Sequence, residues 1–226
     1  MDDTRIAEWD GVTRRSTLHP EAAAQRDRLA DAARAGDWRS VFGILDDTPT
    51  CANAARLEGR SRYTPLHQAA WHGAPTETVE RLLAYGAWRT LRARDAARAV
   101  DIAALRGHRH LAALLRPELK HPLPQDVLAR LQQNLHSLIR YRADPEDGMG
   151  PDLATRERLR LPELEVLTEL DRPACWFPVP GMYGGFKFEL RGRELVVDSW
   201  VRVVGDSERT DRVTVDGVHL QEGGRA

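Results

Sequence analysis

Apolar residues recur every three to four positions through the first half of the chain and every second position through much of the last third. In the first half, three clusters keep helical spacing: Val41, Phe42, Ile44 and Leu45; Val79, Leu82 and Leu83; Leu111, Leu114 and Leu115. Each follows an alanine-rich stretch that ends in glycine: Ala32-Ala33-Arg34-Ala35-Gly36, Ala69-Ala70-Trp71-His72-Gly73 and Ala103-Ala104-Leu105-Arg106-Gly107. The pattern predicts three helical pairs over roughly 25–118. Paired alanines let two helices approach closely, and a glycine accepts the left-handed backbone that ends a helix. Thr64 supplies a capping hydroxyl and Pro65 suits a first helical position. The long connection from Asp46 to Arg62 is predicted to reach beyond the helices.

After His121-Pro122-Leu123-Pro124 the period changes. Gln125 to Tyr141 is predicted as an amphipathic helix, with Val127, Leu128, Leu131, Leu135, Leu138 and Ile139 on one stripe. A loop over 143–151 and a short helix over 152–159 follow. Alternation then predicts strands over 163–168, 186–190, 195–204 and 213–220, with turns at Arg191-Gly192-Arg193 and Gly205-Asp206-Ser207. One sheet face collects Val166, Phe186, Phe188, Val197, Ser199, Val201 and Val203. The other collects Glu165, Lys187, Glu189, Asp198, Trp200, Arg202 and Arg212. The prolines of Trp176-Phe177-Pro178-Val179-Pro180 argue against a central strand there.

Thr64-Pro65-Leu66-His67-Gln68-Ala69 resembles the opening of an ankyrin repeat. That resemblance, joined to the helix and strand pattern past 118, gives the expected fold: an α + β multidomain protein, with a three-unit ankyrin helical solenoid followed by a small α+β domain in which a long helix packs on an antiparallel sheet of about four strands. It divides the chain into an N-terminal arm (1–24), the repeats (25–118) and a C-terminal domain (119–226). It also implies recognition of a partner protein through a groove, with Trp71, His72, Arg62 and Tyr63 as contacts and His67 in a structural role. The whole chain is similar to a group of bacterial, mostly actinobacterial, ankyrin-repeat proteins that carry Trp-Phe-Pro-Val-Pro-Gly-Met-Tyr-Gly-Gly-Phe, here Trp176 to Phe186. No activity of the C-terminal domain comes with that likeness.

Composition narrows the chemistry. The net charge is −1, with arginines interleaved among carboxylates, so no nucleic-acid surface is expected. No run of about 18 apolar residues predicts a membrane span, and Met1-Asp2-Asp3-Thr4 does not open a secretory signal. A cytoplasmic protein is expected. Cys51 and Cys175 lie far apart, and His108 and His110 lack a third ligand nearby. Neither a disulfide scaffold nor a metal or cofactor is expected, and Cys175 reads as a small buried hydrophobe.

A second reading gives the C-terminal domain a small apolar ligand, a small organic molecule held by Trp176, Met182, Tyr183, Gly184, Phe186 and Trp200. Its catalytic form is a metal-free cyclase or isomerase acting on a polyketide-like molecule in bacterial secondary metabolism. Glu165 or Asp198 would move the proton, Arg202 would hold an oxyanion, and His136 is a further candidate. A helix over a curved sheet is similar to the cone-shaped folds of polyketide cyclases, at fold level only. No nucleophile–base pair, paired-carboxylate signature or cofactor fingerprint appears in the chain.

Overall fold

The computed structural model describes residues 6–143, 156–180, 184–201 and 209–220. The chain divides into two compact units, one of them discontinuous: Met1–Val12 groups with Leu119–Ala226, and Thr13–Glu118 is inserted between them.

The inserted unit is helical. It holds α1 (Pro20–Ala35), α2 (Trp38–Asp47), α3 (Pro65–His72), α4 (Thr76–Ala84), α5 (Ala99–Leu105) and α6 (Ala112–Leu115). Local chemistry sets the ends of α3. Pro65 occupies the first turn, and the Thr64 N–H and hydroxyl both lie on His67 Nδ1, at 3.3 and 2.8 Å. That mutual cap satisfies donors that a helix start leaves unpaired. Gly73 ends the helix at φ 61°, and the His108 ring fills the space where any side chain would project. Leu29, Val41, Leu45, Leu66, Val79, Leu82, Ile102, Leu111 and Leu115 share one core, and Leu114 packs against it. Ala69, Ala70 and Ala103 are buried within it, where a larger side chain would push the helices apart.

The second unit contains β1 (Ala7–Glu8), α7 (Gln125–Arg142), β2 (Ala174–Pro178), β3 (Gly184–Arg191), β4 (Glu194–Val201), β5 (Arg209–Val213) and β6 (Val218–Leu220). The strands form one sheet in the order β1-β2-β3-β4-β5-β6. β1 runs parallel to β2, and every other neighbour is antiparallel. Alternation decides the faces. Phe177, Phe186, Phe188, Leu195, Val197 and Val213 are buried on the inner face, where α7 packs against β5 and β6. The predicted stripe of α7 is its buried stripe, and each fully buried leucine there contributes about 1.5–3 kcal/mol.

This architecture corrects the expected fold. Among the described residues the protein is α+β, with seven α-helices and a six-stranded mixed sheet. It is not a three-unit ankyrin solenoid followed by about four antiparallel strands. The helical unit is not three copies of one element: α1 has 16 residues and α6 has 4, with 3-10 turns at Pro49–Asn53 and Arg109–Leu111. The stretch expected as an arm contains β1, a 3-10 turn and the start of α1. The strand expected over 163–168 is a 3-10 turn, Leu164–Thr168, in which Leu164, Val166, Leu167 and Thr168 are all buried. The strand expected over 213–220 is the end of β5 and β6, joined by a turn.

Candidate functional site

The helical unit presents one edge where α1, α3 and α5 end. Histidines stitch these ends together. His72 Nε2–H donates to the Arg34 carbonyl at 2.9 Å, and His108 Nε2–H to the Trp71 carbonyl at 3.2 Å. His110 Nε2–H reaches the Ala74 carbonyl at 3.2 Å. A carbonyl only accepts, so each ring carries a proton on Nε2. Helix-terminal carbonyls that would otherwise need water are thereby satisfied from the next helical pair.

Trp71 stands on this edge, 39% exposed. The Arg106 guanidinium carbon lies 4.3 Å above its ring centroid, a cation–π arrangement. Tyr63 flanks it at 6.3 Å and stacks on His67 at 5.6 Å. Burial raises the Tyr63 hydroxyl above its ordinary pKa, and the charge of Asp95 adds to this, so the phenol stays neutral. Trp38 meets His72 edge-on at 6.1 Å. Of the four expected protein contacts, Tyr63 and Trp71 touch, His72 is engaged with Arg34, and Arg62 holds a positive φ of 59° in the preceding loop. Arg106 was not among the expected contacts. Its signal was its place one helical pair beyond Trp71.

The outer face of the sheet carries a second feature. Trp176 on β2 and Trp200 on β4 stack at 4.2 Å with planes 12° apart, although β3 runs between them. Gly185, opposite Trp200 on β3, makes this possible. A Cβ there would collide with the Trp176 ring and the Phe177 carbonyl oxygen. Gly185→Ala is therefore expected to separate the two indoles and to cost about 1–3 kcal/mol. Near-ultraviolet circular dichroism and a thermal melt check it; unchanged spectra would mean that the stack does not depend on Gly185. Beside the indoles, Lys187 pairs with Asp198 at 3.1 Å, and the Thr210 hydroxyl donates to the same carboxylate at 2.8 Å.

The catalytic candidates are not gathered into one site. Asp198 is held on the outer sheet face, whereas Glu165 belongs to the 3-10 turn that packs against α7. Arg202 lies outside the described residues, as do Met182 and Tyr183. Of the ligand candidates, Trp176 and Trp200 meet on the outer face, but Phe186 is buried on the inner one. Gly184 opens β3 opposite Val201. Cys175 is buried, and burial pushes its thiol pKa up, away from the nucleophilic thiolate.

Sequence reasoning missed a buried ion pair. The Asp211 carboxylate on β5 is 0% exposed, and Arg142 at the end of α7 donates to both its oxygens at 3.0 Å. Six residues earlier on α7, His136 Nε2–H donates to the Pro162 carbonyl at 2.7 Å. Burial lowers the His136 pKa; the nearby Arg140 charge acts the same way, and the bond to Pro162 opposes them. The unfolded chain thus binds a proton more readily. The His136 contribution is full above the ordinary histidine value of about 6.5 and is lost as pH falls below it. Stability should drop as pH falls below about 6.5, and His136→Gln should flatten that slope. Urea unfolding across this range checks it; an unchanged slope in the variant would refute the assignment.

Among the described residues no helix is long and apolar enough to cross a membrane. No protein-family model matches the chain. The chain is similar to the E3 ubiquitin-protein ligase Ufd4 of Drosophila melanogaster, 32% identical over 114 residues. That stretch is 49% of this chain, and it spans only 4% of the relative's length.

Proposed function

We propose that this protein acts by protein–protein recognition in the cytoplasm, through the edge of the helical unit where α1, α3 and α5 end. The observation that carries the reading is Trp71, a large indole 39% exposed and held between Arg106 and Tyr63. Tryptophan, tyrosine and arginine are the residues that most often dominate binding energy at interfaces. A pre-positioned indole also loses little rotamer freedom when a partner covers it. Two free cysteines fit a reducing compartment.

Trp71→Ala is expected to weaken partner capture by about tenfold or more, a loss of at least about 1.4 kcal/mol. It should leave the thermal melt unchanged within about 0.5 kcal/mol, as for a surface change. The comparison is quantitative affinity purification from the native cell, with Trp200→Ala as the control on the other unit. Equal recovery of every specific partner by wild type and Trp71→Ala would remove this edge from consideration.

A further inference from the structure

We infer that the Trp71 edge takes an acidic segment of another protein, one that carries a large apolar side chain between its carboxylates. This rests on the recognition reading above and adds the chemistry of the partner.

Three guanidinium groups of the helical unit have carboxylate partners: Arg15 with Asp27, Arg56 with Asp31, Arg81 with Asp46. Arg34 and Arg106 are exposed and make no ion pair with any described residue. The carboxylates on neighbouring elements are already engaged. Asp31 is held by Arg56, Asp101 accepts the Arg98 N–H at 2.9 Å, and Asp95 accepts the Ala97 N–H at 3.2 Å. None of these carboxylates pairs with Arg34 or Arg106, so both guanidinium groups are open to a carboxylate of a partner. The two arginines sit at the ends of α1 and just past α5, on either side of the end of α3.

Apolar surface lies in the same place. Leu105 is 83% exposed and occupies, two residues before Gly107, the position that Trp71 occupies before Gly73. Arg106 follows it directly and covers part of the Trp71 ring. An apolar anchor seated on Trp71 and Leu105 would have a guanidinium on each side. Arginine is suited to this because its planar fork can grip a carboxylate bidentately while its face stays on an aromatic ring. Such contacts add specificity and association rate, and both decline as salt rises.

The test uses the full-length protein and a random peptide library displayed on phage, selected against wild type and counter-selected against Trp71→Ala. The enriched peptides are synthesised and titrated by fluorescence anisotropy at low and high salt. They are expected to carry net negative charge and a leucine or aromatic residue. They should bind about tenfold or more weakly to Arg34→Gln/Arg106→Gln, and to weaken with salt. Matching melting curves for that variant and wild type show that any loss is not unfolding. Enrichment of neutral or basic peptides that still need Trp71 would overturn the acidic specificity and leave the recognition reading standing. Absence of any Trp71-dependent peptide would overturn both. An oligothymidylate strand that bound more tightly than the peptides, through the same two arginines, would replace the acidic segment with nucleic acid.

Discussion

Replacing Trp9 with alanine is expected to cost the sheet unit about 3–5 kcal/mol, the range for deleting a buried tryptophan. Trp9 directly follows β1 and is 1% exposed. Its backbone N–H donates to the Trp176 carbonyl at 2.7 Å, extending the ladder of β1 on β2. Its indole N–H donates to the Arg160 carbonyl at 2.7 Å, and the Arg160 guanidinium lies 5.0 Å over the ring. The Arg160 N–H returns to the Gly11 carbonyl at 3.2 Å, and Gly11 is packed so tightly on the Phe177 ring that a Cβ would collide. Alanine at 9 would empty a large volume and leave a buried carbonyl without its donor, and both effects destabilise. Trp9→Phe keeps most of the ring and should lose less. Two units need not unfold together, so hydrogen exchange resolved by peptide suits the question better than one global transition. Faster exchange should concentrate in peptides covering β2, β3 and 156–164. Unchanged protection there would mean that the N-terminal strand contributes nothing to the sheet.

Removing the positive partner of Asp211 should be similarly costly. Arg142→Ala takes the two-oxygen ion pair away from a fully buried carboxylate, which is expected to cost about 3–5 kcal/mol. Replacing both members together, as Arg142→Leu with Asp211→Leu, should recover most of the loss, because apolar pairs of similar volume often substitute for buried ion pairs without penalty. Urea unfolding of the two singles and the double measures the coupling directly. A single-variant loss below about 0.5 kcal/mol, typical of surface changes, would show that the pair is not structurally important.

The elements legible in the sequence are those whose two sides face different media. On β3, buried Phe186, Phe188 and Leu190 alternate with Lys187 and Glu189, and the period is visible. α7 is legible for the same reason at helical period. β1 is too short, at two residues, to show any period. β2 was hidden by Pro178. The Val179 N–H bonds the Gly184 carbonyl on β3, so by alternation the Pro178 nitrogen faces the other side, beyond the last residue that β1 pairs. There a missing donor costs no ladder bond. The 163–168 alternation misled because Leu167, placed by period on the outer face, is buried with its neighbours. That turn is tied down by Gln132, whose side-chain oxygen accepts the Leu164 N–H at 2.9 Å.

Parts of the aromatic edge were visible in the sequence. Trp71, near the end of the first helix of its pair, and Tyr63 entered as contacts through the ankyrin resemblance. Arg106 was missed because cation–π contact between successive helical pairs depends on side-chain direction, which spacing does not reveal. The indole stack was missed because Trp176 and Trp200 are paired only through the register of β3, and Gly185 was its one visible trace.

The recognition reading places the functional surface at the ends of α1, α3 and α5. Its most direct test is hydrogen exchange of the full-length protein with and without a Trp71-selected peptide. The account expects slowed exchange confined to peptides covering 32–36, 62–73 and 103–110. Slowing at 174–178 and 184–201 instead, with the helical edge unchanged, would contradict it and move the binding surface to the stacked tryptophans of the sheet.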